Sequence, residues 1–123
     1  LIDMRVVDYT NAPRNIAMID KVVAINGAIE VDMLGQGVAS QIGSYIWSGI
    51  GGQVDFMTGA ARSKGGKPIT ALPSTTSKCL PRIVPFINKG AAVDTGRYNA
   101  RYVFTEYGIA DLWGQTGRQR ADS

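Results

Sequence analysis

The sequence predicts an α/β fold in which a mixed sheet is flanked by helices. Three observations lead to this prediction. Short runs of β-branched and apolar residues recur along the chain, and segments with helical spacing lie between them. Glycine or proline separates most of these segments. Strands and helices that alternate along one chain are typical of α/β proteins.

Two strands are predicted near the start of the chain. Residues 20–27 (DKVVAING) form a β-branched apolar run. Residues 28–37 (AIEVDMLGQG) alternate between apolar and polar side chains, which predicts a half-buried strand whose carboxylates, Glu30 and Asp32, face solvent. The Asn-Gly dipeptide where the two segments meet favours a tight turn, so we expect the strands to pair as a hairpin.

A helix is predicted directly after the glycine-rich residues 48–52. Val54, Met57 and Ala61 share one face at helical spacing. The two glycines after Lys64 provide a fitting C-terminal stop.

The remaining elements are predicted from apolar runs and from the residues that bound them. They are a strand or irregular segment at 41–49, a strand at 67–75 closed by Pro73, an edge strand or extended segment at 81–87, a strand within 97–108 that ends at Thr105-Glu106, a short helical turn at 108–114, and a final helix capped by Thr116.

Composition narrows the classes of function. A chain of 123 residues is enough for one modest domain, predicted at 1–123. The net charge is +3 and the 13 Lys and Arg residues are scattered, which argues against nucleic-acid binding. There is no histidine, the commonest general base and metal ligand, so catalysis would use carboxylates, backbone amides or the single thiol, and no metal is expected.

The cellular compartment of the protein is predicted from its cysteine content and its apolar segments. A single cysteine cannot form an internal disulfide, which favours a reducing compartment and a cytoplasmic protein. No apolar run approaches the ~20 residues of a membrane-spanning helix. The chain starts without Met and ends in RQRADS, which resembles the first turns of a helix, so we expect a fragment of a longer protein.

The segment SGIGGQVDF (48–56) is the strongest local signal. Glycines placed before a helix let backbone N–H groups approach a ligand, and the helix N-terminus favours negative charge. A phosphate, a carboxylate or the oxyanion of acyl transfer would suit such a loop. A tight strand-to-helix turn that binds no ligand explains the glycines as well as an anion-binding loop does. The segment lacks the Lys-Ser/Thr pair of a P-loop and the third glycine of a dinucleotide fingerprint.

Longer segments resemble a known family. SGIGGQVDFMTGAARSKGGKPITALPST and RIVPFINKGAAVDTGRYNARYVFTEYGIADLWGQTGRQRA resemble the C-terminal domain of the acetyl-CoA hydrolase/CoA-transferase family. VVAINGAIEVDMLGQGVAS is similar to the family's preceding hairpin. The resemblance covers nearly the whole chain and implies the C-terminal half of a CoA-transferase fold.

The resemblance implies covalent catalysis on acyl-CoA and a small carboxylate, with coenzyme A as part of the substrate. In this family a glutamate attacks the thioester, becomes an acyl anhydride and then a glutamyl-CoA thioester, and a second carboxylate takes up the acyl group. That glutamate lies upstream of the region matched here, so this chain alone is expected to be inactive. We expect the full-length protein to be a homo-oligomer.

Two residues are implied to be catalytic. Gly52 matches the glycine whose N–H binds the thioester oxygen, and Glu106 in TEYG matches a glutamate near the reacting carbonyl. The positions implied to bind substrate, through the oxyanion loop, the acid carboxylate or the CoA channel, are Asn11, Gly49, Gly51, Gly66 and Lys67.

Three alternatives stay open at this point. The full-length protein could be an acyl-CoA hydrolase rather than a transferase. The chain could instead be a non-catalytic α/β module that binds an anion or a partner through its glycine turn. Glu106 could simply cap the following helical turn.

Overall fold

The computed structural model describes residues 2–123, and within that range it shows four helices and nine short strands. The helices are α1 (Val7–Thr10), α2 (Pro13–Ala17), α3 (Gln53–Arg62) and α4 (Gly117–Asp122). The strands are β1 (Val23–Gly27), β2 (Glu30–Asp32), β3 (Gly37–Val38), β4 (Gln41–Ile42), β5 (Tyr45–Ile46), β6 (Lys67–Ala71), β7 (Ile83–Val84), β8 (Tyr102–Thr105) and β9 (Gly108–Asp111). Together they confirm the predicted α/β class. None of these helices is long and apolar enough to cross a membrane.

The main sheet has the strand order β1-β6-β8-β9 and is mixed, as predicted. β1, β6 and β8 are parallel, whereas β9 is antiparallel to β8. Parallel neighbours need a crossover, and α3 supplies it between β1 and β6. Because α3 ends only a few residues before β6 begins, its N-terminus points toward the carboxyl edge of the parallel strands. Ligands of α/β proteins bind at that edge.

The predicted hairpin between the first two strands is wrong. β1 continues to Gly27, which pairs with Ala71 of β6, while β2 pairs with β3 and β7 in a separate three-stranded sheet. The chain reverses after β2 instead. There the Asp32 carboxylate accepts hydrogen bonds from the backbone N–H groups of Leu34 and Gln36, at 2.9 and 2.8 Å. This side-chain-stabilised turn outweighs the Asn-Gly signal.

The prediction that Glu30 and Asp32 face solvent is also wrong, because both are buried. Glu30 accepts a hydrogen bond from the backbone N–H of Asn88 at 3.0 Å and another from the side-chain amide of Asn88. Asp32 accepts a further bond from the side chain of Gln36 at 2.7 Å. The loop after β7 therefore covers this face of β2, a long-range contact that strand periodicity does not reveal.

The helical turn predicted at 108–114 is a strand. Residues 108–111 form β9, which folds back on β8 through a tight hairpin in which Thr105 pairs with Gly108. Apolar spacing in this short segment fits either structure, and pairing with the adjacent β8 decides it. The next prediction is confirmed, since Thr116 caps α4 in a reciprocal capping box with Gln119.

The core is built from residues of both larger sheets and of α3. Between the sheets it contains Val31, Leu72, Ala100, Val103 and Leu112. The buried apolar residues also include Ala24 of β1, Met57 and Ala60 of α3, and Ile69 of β6. Ala61, predicted to share the buried face, is exposed.

Two short helices were not predicted. α1 and α2 precede the first strand, and α2 packs Ile16 against Gly59 of α3. A Cβ at Gly59 would lie 2.5 Å from that of Ile16, so glycine permits this close approach. The segments at 41–49 and 81–87 form the β4–β5 hairpin and the edge strand β7.

Candidate functional site

A cavity of about 690 Å³ lies beneath the glycine loop. Its walls are residues 26–29 at the end of β1, residues 47–54 of the glycine loop and the start of α3, and five further residues: Ala39, Ser40, Ile42, Arg82 and Asp94. A volume of this size is typical of a small-molecule site. The topology therefore places the glycine loop at the carboxyl edge of β1, where α/β proteins bind ligands.

The glycine loop presents free backbone donors to this cavity. Gly49, Gly51 and Gly52 all line it. Among residues 2–123 no hydrogen-bond acceptor contacts the N–H of Gly51 or Gly52. Gly52 is the N-cap of α3, and its carbonyl accepts the N–H of Phe56 at 3.1 Å. The first N–H groups of a helix lack intrahelical acceptors and carry partial positive charge, so the loop suits an oxyanion.

Asn11 is brought against Gly52, although the two are far apart in sequence. Asn11 is the C-cap of α1, and its side-chain amide nitrogen lies too close to Gly52 for a Cβ to fit there without a shift. The side-chain oxygen of Asn11 (Oδ1) accepts a hydrogen bond from the Thr10 hydroxyl at 3.0 Å. Only glycine at position 52 leaves room for this arrangement.

The start of α3 is tied to β3 through Thr95. The Gln53 side chain donates a hydrogen bond to the Thr95 hydroxyl at 3.0 Å. Thr95 is buried and exchanges two backbone hydrogen bonds with Gly37, at 2.8 and 3.0 Å. These contacts hold the first turn of the helix, and with it the glycine loop, against the three-stranded sheet.

Asp94 fixes the opposite wall of the cavity. Its carboxylate accepts the backbone N–H groups of Ala39 and Ser40, at 2.6 and 2.8 Å, and the Ser40 hydroxyl at 2.7 Å. Partial burial alone would raise the pKa of Asp94, but the bonds from Ala39 and Ser40 together outweigh it and hold the pKa below its usual value. Asp94 is thus an ionised anchor whose oxygens are already occupied.

Replacing this anchor should change how stability depends on pH. A carboxyl group whose pKa is lowered by folding adds stability above its unfolded pKa, and that stability is lost as pH falls through the folded pKa. We expect Asp94→Asn to reduce the free energy of unfolding by about 1–3 kcal/mol at pH 7. The difference from wild type should shrink as pH is lowered from about 5 toward 2.

Thermal melting across this pH range measures the effect. Asp122→Asn is the matched control, since Asp122 is exposed near the end of α4. A constant difference between wild type and Asp94→Asn at every pH would contradict the assignment of Asp94 as an ionised anchor.

Glu106 lies at the same edge of the sheet but outside the cavity. It follows β8, it is exposed, and it borders a shallow hollow with Pro73 and Phe104. Its carboxylate accepts the Ser74 hydroxyl at 2.6 Å and the Ser74 backbone N–H at 2.8 Å. These hydrogen bonds lower the pKa of Glu106 and favour its ionised form. Among the described residues, Glu106 caps no helix. Its hydrogen bonds to Ser74 hold the loop after β6 in place. Glu106 and Gly52 line two different cavities of the described residues, not one.

Gly66 and Lys67 lie at the other end of α3. α3 has 10 residues, so its ends are about 15 Å apart. Gly66 is buried, and a Cβ there would collide with the carbonyl oxygen of Ala60. Packing therefore explains Gly66, whereas its role with Lys67 in binding CoA stays a prediction.

Several cavity residues were not singled out from the sequence. Arg82, Asp94 and Trp47 all line the cavity. Each comes from a different segment, and no short motif contains two of them. The RIVP segment carries the one signal that was available, a cation beside an apolar strand. Elsewhere, described residues contain no group of three or more carboxylate or thiol side chains that could hold a metal ion.

Comparison with protein families identifies a match that covers the whole chain. The model of the acetyl-CoA hydrolase/transferase C-terminal domain matches residues 1–123. A 4-hydroxybutyrate coenzyme A transferase of Clostridium kluyveri is 51% identical over 116 residues, which are 94% of this chain and 27% of the relative. A succinyl-CoA:acetate/propanoyl-CoA:succinate CoA transferase of Fasciola hepatica is 50% identical over 98% of this chain and 26% of its own length.

Solved structures and more distant relatives agree with these matches. The crystal structure of a 4-hydroxybutyrate CoA-transferase from Porphyromonas gingivalis has a TM-score of 0.74 and 45% identity, over 94% of this chain and 25% of that one. An acetyl-CoA hydrolase of Candida albicans is 34% identical over 91% of this chain and 21% of its own length. The chain thus spans about a quarter of the length of the relatives it matches.

Proposed function

Because this chain belongs to the acetyl-CoA hydrolase/transferase C-terminal domain family, we propose that it is a single-domain segment of a longer acyl-CoA:carboxylate CoA-transferase. In this proposal the segment supplies the oxyanion loop and one wall of the acyl pocket. The observation that carries the proposal is the pair of N–H groups at Gly51 and Gly52, which have no acceptor among the described residues and belong to a loop that lines a cavity of ligand size. The high identity to transferases, compared with 34% for a hydrolase, favours transfer over hydrolysis.

The proposed chemistry uses a glutamate from the upstream part of the protein. Its carboxylate oxygen attacks the acyl-CoA carbonyl, and CoA leaves as a thiolate, which gives an acyl-glutamyl anhydride. The thiolate then attacks the glutamyl carbonyl, so that the acyl group leaves as a free carboxylate and a glutamyl-CoA thioester remains. A second carboxylate reverses these steps, forms the new acyl-CoA and regenerates the glutamate.

Each attack produces a tetrahedral oxyanion, and this is where the present segment contributes. The N–H of Gly52, at the positive end of α3, would donate to that oxygen as its charge develops. The Asn11 amide beside Gly52 would contact the substrate carboxylate or help to hold the loop. Glu106, ionised and bonded to Ser74, would shape the rim of the acyl pocket at the same sheet edge.

Two measurements on the full-length protein test this function. We expect acetyl-CoA to raise the melting temperature, whereas equimolar inorganic phosphate should not. Formation of a new acyl-CoA should depend on an added acceptor such as acetate or butyrate. An equal thermal response to any anion would support the non-catalytic module, and release of free CoA without an acceptor would identify a hydrolase.

A further inference from the structure

Arg82 places an unpaired cation in the wall of the cavity. It precedes β7, and its backbone is fixed by two hydrogen bonds of 2.8 Å, from its N–H to Ser74 and from the N–H of Val31 to its carbonyl. Its Nε atom is buried and has no hydrogen-bond partner among the described residues. One Nη atom reaches the Ala28 carbonyl at 3.5 Å, the limit for such a bond. A guanidinium carries five N–H donors, so most of its capacity is unused.

No described side chain neutralises this charge. Asp94 is the only carboxylate among the described residues that line the cavity, and the N–H groups and hydroxyl of Ala39 and Ser40 already occupy its oxygens. The ion pairs found within residues 2–123 do not include Arg82. A charged donor that is removed from water and left unpaired costs free energy. We therefore expect a bound ligand to supply the hydrogen-bond acceptor for Arg82.

Arg101 shows what a compensated arginine looks like in the same chain. Its Nε atom also lacks a hydrogen bond. However, Asp111 lies 3.8 Å away, and the guanidinium lies over the rings of Tyr102 and Trp113 at 4.8 and 5.7 Å. These contacts stabilise the cation within the protein. Arg82 has neither kind of contact among the described residues, and it lines the cavity.

We propose that Arg82 binds the carboxylate group of the small acid that exchanges CoA. This inference rests on the proposed function. Among the described residues, Arg82 is the single cation in the wall, which matches a monoanion rather than the several charges of the CoA phosphates. Ile29, Ile42, Trp47 and Ile50 provide apolar surface for a short alkyl chain. A guanidinium fork also matches carboxylate geometry in a bidentate pair.

Steady-state CoA transfer by the full-length protein, with acetate or butyrate as acceptor, tests this inference. Arg82→Gln should raise the KM for the acceptor carboxylate by about 10- to 100-fold, while the KM for acyl-CoA changes less than about threefold. Arg82→Lys keeps the charge and loses the fork, so its effect should be intermediate. Arg101→Gln, the matched control, should change neither KM.

Two other results for Arg82→Gln would overturn the inference. A larger rise in the KM for acyl-CoA than for the acceptor would show that Arg82 binds a CoA phosphate. A lower melting temperature with both KM values unchanged would show that Arg82 has a structural role. Binding is also measured without turnover, as thermal stabilisation by butyrate of wild type and Arg101→Gln but not of Arg82→Gln. If wild type transfers no CoA, the proposed function fails, and this thermal comparison alone decides whether Arg82 binds carboxylates.

Discussion

Gly52→Ala in the full-length protein is expected to lower kcat for CoA transfer by about 10²-fold, because the added methyl group disturbs the packing of the glycine loop although the backbone N–H remains. The backbone of Gly52 has φ −80°, which alanine adopts without strain, so the cause is space. A Cβ at this position would collide with the side-chain amide of Asn11. Either Asn11 or the glycine loop must move, and a displacement of about 1 Å at a reacting centre can cost 10²-fold. Steady-state kinetics with a saturating acceptor measure this loss.

Gly51→Ala is the matched control for this experiment. A Cβ at Gly51 would meet no atom within 4 Å, although the residue belongs to the same loop and lines the same cavity. We expect Gly51→Ala to retain kcat within about threefold. If the two variants were equally active, close packing of Asn11 on Gly52 would not matter for catalysis, and the proposed positioning of the loop by Asn11 would be wrong.

A double variant separates the two ways in which Gly52→Ala could act. If the alanine acts by displacing Asn11, then Asn11→Ala and Gly52→Ala should not be additive, because each disturbs the same contact. If it acts by moving the N–H of residue 52 directly, the double variant should be slower than either single one. The kcat ratio of the four proteins distinguishes these cases.

Local patterns in the sequence were sufficient for elements whose signals are local. The helix after the glycines and the Thr116 cap depend on residues within a few positions of one another, and both are present. The predicted stop at Gly65-Gly66 is not what ends α3, because the helix already ends at Arg62 with Ser63 as its extended C-cap. The strand at 67–75 was found because its apolar run is bounded by a glycine pair and Pro73. In each case the chemistry of the boundary residues decides the structure.

Contacts between distant segments could not be predicted in this way. Glu30 and Asp32 alternate like solvated strand residues, and only the loop containing Asn88, almost 60 positions later, buries the first of them. The hairpin signal at Asn26-Gly27 was overridden because β1 gains a parallel partner in β6, through a crossover that spans α3. Tertiary pairing outweighs local turn preference in such cases.

The same distinction between local and long-range signals applies to the residues of the candidate site. The glycine loop could be recognised locally, and resemblance added Asn11, which the structure places against Gly52. Arg82 and Asp94 come from separate segments and become neighbours of the loop only when the three-stranded sheet forms. Their role depends on which donors and acceptors remain unoccupied, and a one-dimensional pattern carries no such information.

Gly66→Ala is expected to reduce the free energy of unfolding by about 2–3 kcal/mol, the upper range for overpacking a buried position. The added Cβ would collide with the carbonyl oxygen of Ala60, and it would lie 2.9 Å from the Cβ of Ser63. A backbone atom near the end of α3 cannot rotate away as a side chain can. Relief therefore requires a shift between α3 and β6, which pack directly on each other. Thermal melting and hydrogen exchange of the β6 amides measure the loss.

Gly96→Ala is the matched control for Gly66→Ala, because a Cβ at Gly96 meets open space. It should leave the melting temperature within about 1 °C of wild type, as surface substitutions do. The same pair of variants also tests the prediction that Gly66 binds CoA. If Gly66 acts through packing alone, the folded fraction of Gly66→Ala should keep the wild-type KM for acyl-CoA. A raised KM at an unchanged melting temperature would instead show that this end of α3, about 15 Å from the glycine loop, contacts the substrate.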